Sequence, residues 1–261
     1  RTFSLQPPEG AAANNAAAST RPHIWSESVV KWVEIGDCKL ALGDCRDILP
    51  TLGPVDAVVT DPPYGIGADA QAHKDSDRKP GVAAAAKRRY AATDWDAAPV
   101  LPALMDMVVA AGRSAIVFGG NYYNLPPARC WLVWDKEVNG EFADAELAWT
   151  NLDKPVRLKR WMWNGMLRKG QEARNEHPTQ KPLGVMQWCI EQLPSDAKTV
   201  LDPFMGSVTT GVACALTDRA FIGVEREPSY FDIAVRRIEE AYKQPRLFAE
   251  PQVKPIQEVL F

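Results

Sequence analysis

Apolar positions along this chain fall into short blocks with two different periods. "VDAVVT" (residues 55–60) is apolar on both faces, as in a buried parallel strand. "SAIVFGG" (114–120) has the same character, and "RCWLVWDK" and "DAELAWT" read as two further strands. "KLALGDC" alternates and ends on Gly-Asp, which suits a strand whose tip meets a ligand. Between these lie helical patterns. "CRDILPTL" predicts a short helix stopped at Pro50, and "PVLPALMDMVVAAG" an amphipathic helix ending at Gly112. From Pro182 the rhythm is regular: helix "LGVMQWCIEQL", strand "TVLDPF", turn "MGS", helix "VTTGVACALT", strand "AFIGVE", helix "PSYFDIAVRRIEEAYKQ". In the last helix Tyr230, Ile233, Ala234, Ile238 and Ala241 share a face. The alternation predicts an α/β fold.

The remaining stretches lack a period. Residues 1–28 are rich in Ala, Asn, Ser and Pro and read as a flexible arm. Residues 65–93 exceed the ~12–15 residues of an ordinary connection, so a functional mobile loop is expected there. The Pro-interrupted tail 246–261 reads as a second arm, leaving one domain over 29–245. No internal repeat is visible.

Composition changes the picture little. The chain has 261 residues, 46% in the hydrophobic set and 24% charged, as in a soluble globular protein. No stretch nears the ~18 consecutive apolar residues of a membrane span, and no signal peptide is recognisable behind Arg1. Five scattered cysteines without a CxxC pair argue against a disulfide framework or a metal site and fit a reducing cytoplasm. Cys38 and Cys214 lie in apolar strings and are expected to be buried.

The net charge of −3 hides two basic segments. Residues 74–89 carry Lys87, Arg88 and Arg89 at their end, and 154–174 carry Arg157, Lys159, Arg160, Arg168 and Lys169. These are either solvated loops or a local nucleic-acid footprint. "WMWNGMLRKG" sets Trp161 and Trp163 among such charges. It is either a core edge or a nucleic-acid face, and the surrounding charge favours the second.

Two strand ends carry candidate chemistry. "TDPPYGIG" (60–67) puts one carboxylate at a stiff Pro-Pro bend, followed by an aromatic ring and two glycines. "LDPFMGSVTTG" (201–211) is a strand, a small-residue turn and a helix start, where free N–H groups meet a ligand. Val208 stands where a second glycine would complete a dinucleotide fingerprint, which disfavours a dinucleotide. Glu225 ends the next strand, 19 positions after Gly206. It is either a surface Glu near a helix N-terminus or, as the spacing favours, a ligand for ribose hydroxyls. A ligand with an adenosine moiety and no pyrophosphate fits, such as S-adenosylmethionine.

Five pieces, "GDC" (43–45), "DPPY" (61–64), "HPTQKP" (177–182), "DPFMGS" (202–207) and "GVE" (223–225), resemble the S-adenosylmethionine-dependent DNA amino-methyltransferases. With DPPY before the cofactor turn, their order resembles the β group, a permuted Rossmann-like sheet. In such a fold the catalytic part spans 38–120, a target-recognition region about 121–176 is inserted, and the cofactor part spans 177–245.

The resemblance implies roles. Asp61 and the Pro62 carbonyl accept the two N–H bonds of a target base's exocyclic amine. Pro63 stiffens the bend, and Tyr64 stacks on the base. Asp44 meets the cofactor's adenine amine, beside Cys45. Glu225 binds the ribose. Asp202, Phe204 and Gly206 shape the pocket, and Ser207, Thr209 and Lys181 meet the methionine end. His177 is a structural member of its motif. Double-stranded DNA is the implied partner, with the target flipped out, in a bacterial or phage-encoded restriction-modification setting. A homodimer and no metal are expected. Asp at the first motif position favours adenine N6 over cytosine N4. A protein glutamine methyltransferase is disfavoured by Asp61 and by the motif order, and a non-catalytic DNA-binding relative by the intact Asp61 and Tyr64.

Overall fold

Strands with apolar residues on both faces need cover on both faces, and the fold supplies it. The computed structural model describes residues 30–67, 96, 98–137, 143–163 and 180–243. Both arms, nearly all of the 65–93 loop, and His177 lie outside the described residues. In chain order the elements are β1 (Lys31–Ile35), β2 (Cys38–Leu42), α1 (Cys45–Ile48), β3 (Val55–Thr60), α2 (Pro102–Ala110) and β4 (Gly112–Phe118). There follow β5 (Trp131–Asp135), β6 (Ala145–Thr150), β7 (Arg157–Arg160), α3 (Leu183–Gln192), β8 (Thr199–Asp202), α4 (Thr209–Leu216), β9 (Ala220–Glu225) and α5 (Pro228–Lys243).

Among the described residues, nine strands form one sheet in the order β1-β2-β9-β8-β3-β4-β6-β5-β7. Strands β2, β9, β8, β3 and β4 run parallel. β1 pairs antiparallel with β2, and β6 antiparallel with both β4 and β5. β7 runs parallel to β5. Alternation within β3 sorts its side chains: Ala57 and Val59 join a cluster with α3, α4 and α5, while Val58 joins one with α1 and α2, as does Val55 at the strand's first position, against the alternation. This mixed α/β sheet agrees with the expected fold class.

Connectivity places the site. The chain leaves β3 for β4 on one side and leaves β8 for β9 on the other, while β3 and β8 are themselves neighbours. The carboxyl ends of two strands that diverge in this way frame a crevice. Both strands run into an Asp-Pro step, Asp61-Pro62 and Asp202-Pro203. One buried carboxylate joins them. Asp202 Oδ1 accepts from Thr60 Oγ1 at 2.7 Å and from the Phe204 N–H at 3.1 Å, and Oδ2 accepts from Thr210 Oγ1 at 2.7 Å.

Several local expectations are corrected. Pro50 does not stop the chain's turning; it sits in the 3₁₀ turn Leu49–Thr51 that extends α1, a place where a missing N–H costs nothing. Gly112 is not a helix cap but the first residue of β4. On α5 the buried face is Tyr230, Phe231, Ala234, Ile238 and Ala241; Phe231 replaces Ile233, which is half-buried. Trp161 and Trp163 are partly buried against the core, as a core edge would be, and Trp163 also lines the cavity described below; the stretch beyond Trp163 lies outside the described residues. Val208 adopts φ 63°, ψ 33° and is wholly buried. A β-branched residue there costs about 1–2 kcal/mol, and burying its isopropyl group offsets that by about the same amount.

Removing the junction carboxylate leaves two buried hydroxyls and a backbone N–H without an acceptor. Asp202→Ala is therefore expected to lower the urea-derived unfolding free energy by about 3 kcal/mol. A loss under about 0.5 kcal/mol would show that the junction does not depend on it.

Candidate active site

Every residue assigned above to catalysis or to the cofactor lines a single cavity of about 800 Å³. It opens along the ends of β8, β3 and β9. Asp61 follows β3 directly, so its backbone is set by the parallel ladder. Pro62 and Pro63 have no N–H and a fixed φ, so the bend is stiff. The Tyr123 hydroxyl donates to the Pro63 carbonyl. Among the described residues nothing donates to the Pro62 carbonyl. After the bend, Gly65 has φ +74° and donates its N–H to Asp96 Oδ1 at 2.7 Å. A Cβ on Gly65 would lie 2.4 Å from Pro99, so only glycine fits.

Tyr64 is fixed from three sides. Its hydroxyl donates to Asp61 Oδ1 at 2.5 Å, and its ring stacks on Tyr122 with centroids 4.9 Å apart and planes 13° apart. Gly119, at φ +64°, lies against the ring edge, and a Cβ there would come within 2.2 Å of it.

A charged chain completes this end. Lys181 Nζ donates to Asp61 Oδ2 at 2.5 Å and lies 3.2 Å from Glu146 Oε2. Glu146 Oε1 is paired with Lys136 at 2.7 Å. The Lys181 ammonium also lies over the Phe118 and Tyr64 rings, 5.2 and 5.6 Å from their centroids. Burial pushes the Asp61 carboxyl above its usual range; the Lys181 ammonium opposes this, and the Glu146 charge adds to it. Burial acts on Glu146 too, but Lys181 and Lys136 outweigh it and hold Glu146 low. Burial would lower Lys181, yet its two carboxylates raise it. Lys181, expected at the methionine end, is thus bound directly to Asp61. Glu146, Lys136, Tyr122, Tyr123 and Asp96 were not anticipated.

At the other end, Glu225 Oε2 accepts from the Gly206 N–H at 3.0 Å and Oε1 from the Glu227 N–H at 2.8 Å. Burial raises its carboxyl to about 7, against the pull of these bonds. Asp202 is likewise raised by burial, to about 6, against bonds from Thr210 and Thr60. Its carboxylate serves the scaffold, although the residue lines the cavity. Asp44 caps α1 through the Arg46 N–H at 2.8 Å and is paired with the Arg46 guanidinium at 2.6 Å. The bond to Arg46 outweighs burial and lowers its carboxyl. Burial pushes the neighbouring Cys45 thiol up to about 12. Arg237 on α5 donates to the Ser207 carbonyl and, at 3.2 Å, to Thr209 Oγ1, so it fixes the turn. Phe204 and Gly206 complete the wall.

Of the expected DNA-contacting residues, the three that are described do not line this cavity. Arg157, Lys159 and Arg160 sit on β7, at the far end of the sheet. Lys159 lies over the Trp161 ring, and Arg160 pairs with Asp135 at 3.4 Å. Lys87, Arg88, Arg89, Arg168 and Lys169 lie outside the described residues. All five cysteines are free and buried. Among the described residues no helix is long and apolar enough to cross a membrane.

Residues 131–236 match the family described as DNA methylase. Among curated relatives, the Type II methyltransferase M2.MboI of Moraxella bovis is 41% identical over 70 residues, 27% of this chain and 26% of its own. M2.DpnII of Streptococcus pneumoniae is 40% identical over 79 residues, 30% of each chain. M.HinfI of Haemophilus influenzae is 38% identical over 77 residues, 30% of this chain and 21% of its own. The matches thus span less than a third of these relatives' lengths. Among solved structures, the M1.HpyAVI–SAM complex superposes with TM-score 0.48 at 23% identity, over 77% of this chain and 99% of that one. The cytosine-N4-specific PvuII DNA methyltransferase superposes with TM-score 0.48 at 15% identity, over 78% and 91%. These matches agree with the resemblance carried by the motifs: residues 131–236 are similar to DNA methylases.

Glu225 generates a pH prediction. Its carboxyl titrates near 4.5 when unperturbed and near 7 in the folded protein, so the folded state holds more protons between these values. Its contribution to stability is complete below about pH 4.5 and is lost as pH rises through 7. Urea denaturation across this range is expected to show a shallower decline for Glu225→Gln than for the parent. Parallel curves would contradict the assignment.

Proposed function

We propose that this protein methylates N6 of an adenine extruded from duplex DNA. The observation that carries this reading is the shared cavity. Asp61 and Pro62 line the same cavity as Glu225 and the Gly206 turn. Its volume of about 800 Å³ is within the range of ligand pockets.

The residues present fit S-adenosylmethionine. Glu225 offers oxygens with spare lone pairs for ribose hydroxyls, and the Asp44–Cys45 turn closes the adenine end. Phe204 supplies an apolar wall, and the turn from Gly206 to Thr209, tied by Arg237, leads to the Asp61 end. When bound, this cofactor supplies a methyl group on a sulfonium.

The chain's own residues prepare the acceptor. An aromatic amine is a poor nucleophile because its lone pair is shared with the ring. Asp61 and the Pro62 carbonyl each accept one N–H and favour a pyramidal nitrogen whose lone pair faces the cofactor end. Two fixed acceptors act by position and preorganised charge. Stacking on Tyr64, as a further member of the Tyr64–Tyr122 pair, returns roughly 1–3 kcal/mol toward the few kcal/mol that flipping costs. By resemblance the working unit is a homodimer in the cytoplasm. The basic segments 74–89 and 154–174 would hold phosphates and make affinity salt-dependent.

Transfer of labelled methyl from S-adenosylmethionine to unmethylated genomic DNA tests this. Nucleoside analysis is expected to show N6-methyladenine; N4-methylcytosine would reassign the base, and no transfer would refute the reading. Asp61→Ala is expected to slow transfer by about 10²–10³-fold while cofactor binding persists.

A further inference from the structure

In the free protein the Asp61 carboxylate is already occupied. Oδ1 takes the Tyr64 hydroxyl and Oδ2 takes Lys181 Nζ, each at 2.5 Å. The ammonium therefore sits where a donor N–H of the target amine would approach. A second acceptor lies on its far side. Glu146 Oε2 is 3.2 Å from Lys181 Nζ but makes no hydrogen bond, although it is shielded from solvent. The other Glu146 oxygen is anchored by Lys136 at 2.7 Å, so the carboxylate is aimed and half-used. The Tyr64 and Phe118 rings near Nζ favour a cation in this part of the site.

We propose that Lys181 is a displaceable stand-in for the target amine, and that Glu146 is the positioning residue that receives its ammonium when the base arrives. This rests on the reading of Asp61 as the amine acceptor. In the resting state, Lys181 and Tyr64 satisfy a buried carboxylate that would otherwise be left with its acceptors unused. When an amine N–H donates to Asp61, Lys181 forms its hydrogen bond with Glu146 Oε2. The charge stays in the site and no proton is transferred. Glu146 is on β6, within the region expected to recognise the target, so contacts that shift β6 would also bias the lysine. Among the described residues, the charged and titratable groups facing Lys181 are Asp61, Tyr64, Glu146 and, from α3, Cys189, with Lys136 behind Glu146, Asp202 behind Asp61, and Tyr123 and Asp96 beyond the Asp61 bend.

The pH profile of methyl transfer at saturating DNA separates this from a merely structural role. Activity requires ionised Asp61, so it falls on the acid side. In Glu146→Gln the lysine has one carboxylate partner left and a like charge is gone, which favours ionised Asp61. The acid limb is expected to move down by about one pH unit. The plateau rate is expected to fall about tenfold, because the ammonium is no longer drawn off. In Lys136→Met the freed Glu146 pulls harder on Lys181, and the limb is expected to move up. These opposite shifts support the displacement. A Glu146→Gln profile that matches the parent's, or that moves up, overturns it. Retained S-adenosylmethionine binding checks the fold of each variant; if Glu146→Gln does not fold, Lys136→Met decides alone, and an unmoved or lowered limb overturns the proposal. Undiminished transfer by Asp61→Ala refutes the reading of the site itself. Loss of transfer in Asp61→Ala with no Glu146→Gln shift refutes only the displacement.

Discussion

Asp202 accepts hydrogen bonds from Thr60 at the end of β3 and from Thr210 on α4, and this junction sets the position of everything else in the site. β3 and β8 are neighbours whose onward connections diverge, so the space above their ends is not covered by a crossover. Thr60 precedes Asp61, and Asp202 precedes Pro203. Fixing one side chain to the other therefore fixes the distance between the Asp61 bend and the Gly206 turn. The Asp202 carboxyl is raised to about 6 by burial, which its three hydrogen bonds only partly offset. The junction is thus a buried polar network, effective only while every member is satisfied.

Rigidity is spread around this point by backbone rather than by mass. The Pro-Pro bend supplies carbonyls without donors, Gly65 permits the turn back toward Pro99, and Gly119 makes room for the Tyr64 ring. On the cofactor side, Glu225 ties β9 to Gly206, and Arg237 ties α5 to the carbonyl of Ser207. Two stiff loops thus face each other across one cavity, with the charged chain Asp61–Lys181–Glu146–Lys136 closing one end. Such an arrangement suits a reaction that needs placement and fixed dipoles more than a strong acid or base.

Much of the scaffold was legible because its signals are local. Runs such as "VDAVVT" and "AFIGVE" announce buried strands by composition, and the Asp-Pro steps mark where they stop. The residues named for catalysis and the cofactor line one cavity. What was not legible depends on partners far apart in the chain. Lys181 meets Asp61 across 120 positions, and Glu146 has no local pattern that distinguishes it from a solvated strand residue. Tyr122 and Tyr123 follow a glycine turn that reads as an ordinary strand end. Charge around Trp161 suggested a binding face, but its ring lies against Gly184 of α3. Val208 shows the same override: local propensity asks for glycine, and core burial outweighs it.

The proposed function requires that Asp61 and the Pro62 carbonyl jointly hold the amine of an extruded base. The most direct measurement is a structure of the protein with duplex substrate and a non-reactive analogue of S-adenosylmethionine. The target amine nitrogen is expected within about 2.7–3.2 Å of both acceptors, on the side facing the analogue's sulfur-equivalent atom. An extruded base seated elsewhere in the cavity, with neither acceptor touching its amine, would contradict it.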